Sequence, residues 1–297
     1  MNDKSNDNSI KKIDEKNRMS IHWYPGHMTK AKRMMQENIS LIDLVIEVLD
    51  ARIPMSSRNP DIDELAKNKS RIVLLNKSDL ADPGANQAWM KYFEEQGCHA
   101  LEINSKSGSG IKNLRPLVEK ACRDKMERDK KRGILNRPIR AMVVGIPNVG
   151  KSTFINSFAG KACTKTGNKP GVTKGKQWIR MGKNLELLDT PGILWPKFED
   201  REVGMKLAYI GSINDEIIVL EELVCELIDL ICKKYPGALK QRYAIEEEGT
   251  GAELLEQIAE GRKCYTKGEK LDLEKAAGLI LEDFRGGRLG RMTLEEC

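Results

Sequence analysis

Residues 141–159 read AMVVGIPNVGKSTFINSFA, and this stretch decides the fold. The apolar run 141–145 is typical of a buried strand. It leads into GIPNVGKS (145–152), which matches the pattern G-x-x-x-x-G-K-[ST], and the residues after it are compatible with a helix. In such a loop the glycines let the backbone wrap phosphates, while a lysine reaches the β- and γ-phosphates and a serine hydroxyl ligates magnesium. The predicted nucleotide-binding residues of this loop are Asn148, Val149, Gly150, Lys151, Ser152 and Thr153.

A second motif, NKSD, indicates which base is bound. It comprises Asn76, Lys77, Ser78 and Asp79 and follows the apolar run RIVLL. Asp79 can accept hydrogen bonds from the N1–H and the exocyclic amine of guanine, and Asn76 would contact the other edge of the base. Adenine lacks these donors, and a carboxylate left unpaired by the wrong base gives discrimination of ~10⁴ or more. Taken alone, NKSD also fits a helix-capping loop. Together with the phosphate loop, it predicts GTP.

A third segment stands where guanine-binding proteins carry a loop whose backbone N–H faces the guanine O6. The apolar run HALEI ends at Ile103 and is followed by Asn104 and Ser105, both of which we predict to contact the nucleotide.

Two further motifs follow the phosphate loop and predict the rest of a magnesium site. In DTPG (189–192), Asp189 would hold magnesium through water and the Gly192 N–H would contact the γ-phosphate. In PGVT (170–173), Thr173 is the predicted switch threonine, which would ligate magnesium and act in catalysis. An ordinary Pro-Gly turn is the alternative for PGVT.

The hydrophobic pattern predicts an α/β domain followed by a small all-helical domain. Short apolar runs separated by helical stretches are typical of parallel strands. After about residue 196 the apolar positions take helical spacing. The predicted strands are 42–50, 71–76, 99–103, 141–145, 176–181 and 184–189. The predicted domains are a disordered tail (1–20), an α/β domain (21–198) and a helical domain (199–297).

The charge is distributed unevenly along the 297 residues. Residues 1–198 hold 36 Lys+Arg and 22 Asp+Glu, a net charge of +14, whereas residues 199–297 hold 14 and 22, a net charge of −8. Residues 153–185 carry seven basic residues and no acidic one. These basic residues are Lys161, Lys165, Lys169, Lys174, Lys176, Arg180 and Lys183. Such a run suits contact with a phosphate backbone, although a solvated hairpin face would read the same.

Composition excludes several classes of protein. The seven cysteines never form C-x-x-C, which argues against a disulfide framework or a zinc ribbon. The apolar runs are far shorter than the ~20 residues of a membrane span. The first twenty residues lack the apolar core of a signal peptide. We therefore expect a cytoplasmic protein with no membrane partner, and a monomer.

The order of the motifs is circularly permuted. Ras-type GTPases run from the phosphate loop through the switch threonine and DxxG to NKxD, whereas here NKSD precedes GIPNVGKS, PGVT and DTPG. With HWYPGHM (22–28), DARIP (50–54) and DFRGGRLGR (283–291), the chain resembles the ribosome biogenesis GTPase A family, the YlqF type. The resemblance implies a permuted Ras-like P-loop GTPase domain followed by a helical domain.

The resemblance also implies an activity and partners. The activity is GTP hydrolysis coupled to late maturation of the large (50S) ribosomal subunit, with GTP or GDP and Mg²⁺ as ligands. The expected partners are the 50S precursor, its rRNA and its ribosomal proteins. We expect the subunit to stimulate turnover and hydrolysis to trigger release. The alternative is a signalling or transport GTPase with a protein effector. Arg285, Arg288 and Arg291, spaced by glycines, are a further predicted RNA contact.

The residue that activates water is not the one used by Ras-type enzymes, which carry a glutamine directly after DxxG. This chain has Ile193 there, and an aliphatic side chain cannot orient water. Similarity to other such GTPases suggests His27 as the catalytic residue; packing of the N-terminal segment or RNA contact is the alternative. It also suggests that Asn148 ligates potassium beside the phosphates, where a simple loop hydrogen bond is the alternative.

Overall fold

The computed structural model of the protein describes residues 26–134, 137–164, 177–194, 200–213 and 219–297. At residues 26–28 and 177 only the backbone is described. The predicted tail (1–20), Thr173 and four lysines of the basic run (165, 169, 174 and 176) lie outside the described residues, as does the side chain of His27.

Six strands form one sheet in the order β3-β2-β1-β4-β6-β5. The strands are β1 Leu44–Asp50, β2 Ser70–Asn76, β3 His99–Glu102, β4 Ile139–Val144, β5 Gln177–Arg180 and β6 Leu185–Asp189. All pairings are parallel except that of β5, which runs antiparallel to β6 at the edge. Each predicted strand is confirmed to within two residues at either end. The central strand β1 is buried throughout, as expected for an almost continuous apolar run covered by helices on both faces.

Helices cover the sheet and form the C-terminal part of the described chain. They are α1 Gly26–Asn38, α2 Asp61–Leu65, α3 Pro83–Glu95, α4 Leu114–Ala121, α5 Arg123–Lys131, α6 Lys151–Ala159, α7 Arg201–Tyr209, α8 Leu220–Lys234, α9 Ala238–Tyr243, α10 Gly251–Gly261 and α11 Leu273–Arg285. Local sequence explains several starts. Asp82 caps α3 and is followed by Pro83, while Thr250 and Glu253 form a capping box on α10. None of the helices in these described ranges is long and apolar enough to cross a bilayer.

The parallel register brings the predicted motifs to one edge of the sheet. Asp50, at the end of β1, pairs with Asn76 at the end of β2, and Val143 of β4 pairs with Asp189 at the end of β6. The motifs found where these strands end are DARIP, NKSD, the phosphate loop and DTPG. The carboxyl edge of such a sheet is where ligands of open α/β folds bind.

Residues 291–295, which we call the C-terminal strap, return from the helices to the first domain. The Leu294 N–H donates to the Arg52 carbonyl (2.8 Å), and the Glu295 carboxylate accepts from the Met55 N–H (2.7 Å) and the Ser56 N–H (3.1 Å). The strap is not helical, and it covers the loop after β1. The last residues of the predicted helical domain therefore pack on the α/β domain. The boundary at residue 198 stays a prediction.

Candidate functional site

The phosphate loop joins β4 to α6 and places a helix N-terminus at the carboxyl edge of the sheet. Gly150 has φ of +99°, a conformation that favours glycine, and directly precedes α6. A Cβ at Gly150 would overlap the side-chain nitrogen of Asn76. The first N–H groups of α6 carry partial positive charge and suit an anionic ligand. Ser152 and Thr153 lie in this first turn.

Lys151 and Asp189 are buried ionisable groups beside this loop. The Lys151 Nζ donates to the carbonyls of Gly145 (3.0 Å) and Ile146 (2.7 Å), and burial lowers the pKa of Lys151 to about 8. Burial raises the pKa of the Asp189 carboxyl to about 6, against the opposing effect of Lys151. Neither oxygen of Asp189 has a hydrogen-bond partner among the described residues. A buried carboxylate without a partner in this part of the chain suits a hydrated divalent cation, so Asp189 fits the predicted Mg²⁺.

The DTPG segment contacts the phosphate loop directly. The Ile193 N–H donates to the Gly145 carbonyl (3.3 Å), and a Cβ at Gly192 would lie 2.7 Å from the Pro147 nitrogen and 2.8 Å from the Lys151 Nζ. Only glycine fits this approach. The structure therefore brings Gly192 beside Lys151, and the contact of the Gly192 N–H with the γ-phosphate stays a prediction. The side chain of Ile193 is buried and does not face water.

The Asn76 side chain is bonded within the protein, and its contact with guanine stays a prediction. Its side chain is 2% exposed; Nδ2 donates to the Val149 carbonyl (2.7 Å), and Oδ1 accepts from the Ser105 N–H (3.0 Å). Both polar atoms are thus bonded to neighbouring loops. Asn76 ties NKSD to the phosphate loop and to the loop after β3.

The other NKSD residues divide into one facing solvent and two held by the protein. Asp79 is exposed at the edge of the sheet, where a base can reach it. Lys77 has φ of +59°, and its Nζ donates to Asp50 Oδ2 (2.8 Å) and to the Asn148 carbonyl (2.9 Å). The Ser78 N–H donates to the Ile103 carbonyl (3.1 Å).

The loop after β3 is a tight turn closed by Asn104. Its Oδ1 accepts from the N–H groups of Lys106 (2.9 Å) and Ser107 (3.0 Å). Ser105 is buried, and its Oγ has no partner within the described part of the chain. The loop thus lies against NKSD, and the contacts of Asn104 and Ser105 with the nucleotide stay predictions. Its main contact there is the bond between Ser105 and Asn76.

Asn148, the predicted potassium ligand, lies at the top of the phosphate loop with φ of +62°. Its Nδ2 donates to the carbonyl of Gly211 (2.5 Å), a residue that lies two positions after the end of α7. The side chain therefore connects the phosphate loop to the C-terminal helices. This contact uses the amide nitrogen and leaves the potassium hypothesis untested.

Two buried residues of DARIP were missed as functional candidates. Asp50 and Arg52 are 0% and 1% exposed and form a two-pronged ion pair, with Nε–Oδ1 at 2.9 Å and Nη2–Oδ2 at 2.8 Å. Lys77 shares the same carboxylate. Their position in the sequence could have identified them, because DARIP stands at the end of a predicted strand, as NKSD and DTPG do.

The three glycine-spaced arginines have acceptors within the chain. Arg285 donates to the carbonyls at the end of α7, Arg288 pairs with Asp283, and Arg291 donates to the Ala81 and Ser78 carbonyls. Arg285 and Arg291 thus hold the helices and the strap in place, whereas Arg288 bonds within its own helix end, and the RNA contact stays a prediction.

Comparison with known proteins agrees with this geometry. A family model described as "50S ribosome-binding GTPase" matches residues 140–255. The chain is 48% identical over 278 residues to "Ribosome biogenesis GTPase A" of Bacillus cereus, covering 93% of this chain and 94% of that one. The protein of the same name from Thermotoga maritima is 31% identical over 275 residues, covering 93% and 94%.

Solved structures show the same architecture. A GDP-bound structure of TM YlqF superposes with a TM-score of 0.66 at 27% identity, covering 89% of this chain and 99% of that one. GNP-bound YlqF from T. maritima gives 0.63 at 28% identity, covering 90% and 98%. The predicted fold class, a circularly permuted P-loop GTPase, is thereby confirmed. The chain binds guanine nucleotides and hydrolyses GTP, and it belongs to the ribosome biogenesis GTPase A family.

Proposed function

We propose that this GTPase is an assembly factor for the large (50S) ribosomal subunit. It binds the subunit precursor through rRNA, promotes late maturation, and leaves after hydrolysis. The observation that carries the proposal is the 48% identity to a ribosome biogenesis GTPase A across 93% of the chain. We place the protein in the cytoplasm, as a monomer.

The surface charge supports an RNA partner. Between residues 111 and 132, around α4 and α5, eight basic side chains are exposed against three acidic ones. The basic ones are Lys112, Arg115, Lys120, Arg123, Arg128, Lys130, Lys131 and Arg132. A surface of this kind contacts phosphates and makes affinity fall steeply with salt.

The residues divide the work of hydrolysis as follows. The N–H groups at the start of α6 and the Lys151 ammonium bind the phosphates, and Asp79 selects guanine. Ser152 and Thr173 would hold Mg²⁺ directly and Asp189 through water. Bound magnesium neutralises charge that develops on the phosphates. A bond from the Gly192 N–H to the γ-phosphate would couple the presence of that phosphate to the segment that leads into α7.

Because the Ile193 side chain is aliphatic and buried, another residue must activate the attacking water. We assign this role to His27 as general base, assisted by K⁺ at Asn148. His27→Ala should lower subunit-stimulated turnover without lowering GTP affinity, and unchanged turnover would remove His27 from the mechanism. Equal rates in sodium and potassium would remove the K⁺ site.

Co-sedimentation with purified 50S subunits and their precursors tests the proposal. The chain should pellet with the precursor in a non-hydrolysable GTP analogue and stay in solution with GDP, and binding should weaken as salt rises. Asp79→Asn is a matched control, because it should fail to respond to the GTP analogue. Absence of pelleting at every salt concentration would favour the alternative, a signalling or transport GTPase with a protein effector.

A further inference from the structure

A buried ion cluster connects the phosphate loop to the C-terminal helices. It consists of Asp50, Arg52 and Lys77, and we call it the Asp50 cluster. Asp50 accepts from both other members, and the Lys77 Nζ extends to the Asn148 carbonyl. On the other side, the Arg52 Nη1 donates to the carbonyls of Phe284 (3.5 Å) and Arg285 (3.4 Å), at the end of α11.

The Asp50 cluster carries two cations and one anion, so its stability depends on the end of α11. Burial lowers the pKa of Lys77, and the nearby Arg52 lowers it further. The excess positive charge is offset by carbonyls, and the C-terminal end of a helix carries partial negative charge. The Arg52 guanidinium also lies over the Phe284 ring, 5.2 Å from its centroid. Moving α11 away would remove these partners from Arg52.

A second set of contacts runs from α11 to the phosphate loop through the end of α7. Arg285 donates to the carbonyls of Tyr209 (2.9 Å) and Ala208 (2.6 Å). Just beyond, the Gly211 carbonyl accepts from Asn148, and the Ser212 Oγ donates to the Pro147 carbonyl (2.7 Å). The phosphate loop is therefore held from two sides by contacts that meet at the end of α11.

These contacts hold a strained residue of the nucleotide site. Asn148 is not glycine, yet it adopts a left-handed conformation that costs energy unless its surroundings fix it. Lys77 fixes its carbonyl and Gly211 fixes its side chain. The orientation of this residue sets where the following N–H groups of the loop point.

We propose that Arg52 is a positioning residue through which docking of α11 sets nucleotide affinity. When α11 is docked, Arg52 orients Asp50, Asp50 orients Lys77, and Lys77 holds the phosphate loop in its binding conformation. Coupling between sites is reciprocal, so bound nucleotide favours docking of α11 by the same factor. A partner that displaces the helical segment would then weaken nucleotide binding.

The test measures the affinity of the full chain for a fluorescent GDP analogue with Mg²⁺. Arg52→Lys keeps the charge but loses the two-pronged geometry, and Arg285→Met removes the contacts to α7. Each should raise the dissociation constant at least about five-fold, the lower end of typical coupling. Arg288→Met is the matched control, because Arg288 sits at the same helix end and pairs only with Asp283 in the bonds shown by the described residues. It should bind as the unmodified chain does.

Two outcomes would overturn the proposal. One is that Arg52→Lys and Arg285→Met lower the unfolding temperature without changing the dissociation constant, which would make the Asp50 cluster purely structural. The other is that Arg288→Met weakens binding as much as Arg52→Lys does, which would make the loss a general effect of changing this end of the helix. If Arg52→Lys fails to fold, Arg285→Met alone decides between affinity and stability.

Discussion

Exchanging amide and carboxylate within NKSD separates the two roles that this motif can have. Asn76→Asp keeps the size of the side chain but replaces Nδ2, which donates to the Val149 carbonyl, by an oxygen. Two acceptors would then face each other about 2.7 Å apart, at the distance of the original bond. We expect this variant to lose stability first, and nucleotide affinity as a consequence.

The size of the effect follows from burial and bonding. A buried group that loses its partner costs about 1–3 kcal/mol, and burying an unpaired carboxylate adds to that cost. The bond from the Ser105 N–H survives and strengthens, which returns about 1 kcal/mol. The net loss of unfolding free energy should be about 3 kcal/mol, or a drop in unfolding temperature of about 5 °C.

Asp79→Asn is the matched control, because it makes the reverse exchange at an exposed position three residues along. It should leave the unfolding temperature unchanged and lower GDP affinity by about 10³-fold or more, because guanine loses its acceptor. Thermal unfolding without nucleotide and calorimetric GDP titration measure the two effects. If Asn76→Asp unfolds like the unmodified chain yet loses GDP affinity, Asn76 acts on the base and our interpretation is wrong.

Three further perturbations test other parts of the site. Burial raises the pKa of Asp189 from 3.8 to about 6, so the folded state binds the proton more tightly than the unfolded state. The contribution of Asp189 to stability without nucleotide should be complete below pH 4 and fall by up to about 3 kcal/mol as pH rises through 6. Urea unfolding of Asp189→Asn should lack this slope, and an unchanged slope would contradict the assignment. Gly150→Ala should abolish GDP binding, whereas Gly160→Ala, also at positive φ but with open space around it, should cost only about 1 kcal/mol of stability and leave binding intact. Glu295→Gln should lower the free energy of unfolding in urea by about 1–3 kcal/mol. Glu296→Gln, whose ion pair is exposed, should lower it by almost nothing. Equal losses would mean that the buried contacts of the strap add no more stability than an exposed ion pair does.

The sheet and the grouping of the motifs were predictable because both depend on local pattern. Continuous apolar runs such as β1 identify buried parallel strands, and parallel strands put their carboxyl ends at one edge. The approach of DTPG to the phosphate loop followed from that rule.

The inward contacts were not predictable from local pattern. The sequence around Asn76 is the same whether its amide bonds to a base or to a neighbouring loop. Arg52 is 232 residues from Phe284, whose carbonyl it contacts, so no sequence pattern near Arg52 predicts that it is buried. Arg285 and Arg291 likewise look like a solvent-facing basic motif, and only the tertiary structure shows their carbonyl acceptors.

The C-terminal strap also has a consequence for the order of folding. The bond between Met55 and Glu295 spans 240 residues of sequence. Contacts of such separation form late, because the entropy of closing the intervening chain must be met first. During synthesis the α/β sheet can assemble before residue 295 exists, but the loop after β1 cannot reach its final state. In a nascent chain, NKSD would therefore be synthesised well before the neighbouring loop after β1 could become fully ordered.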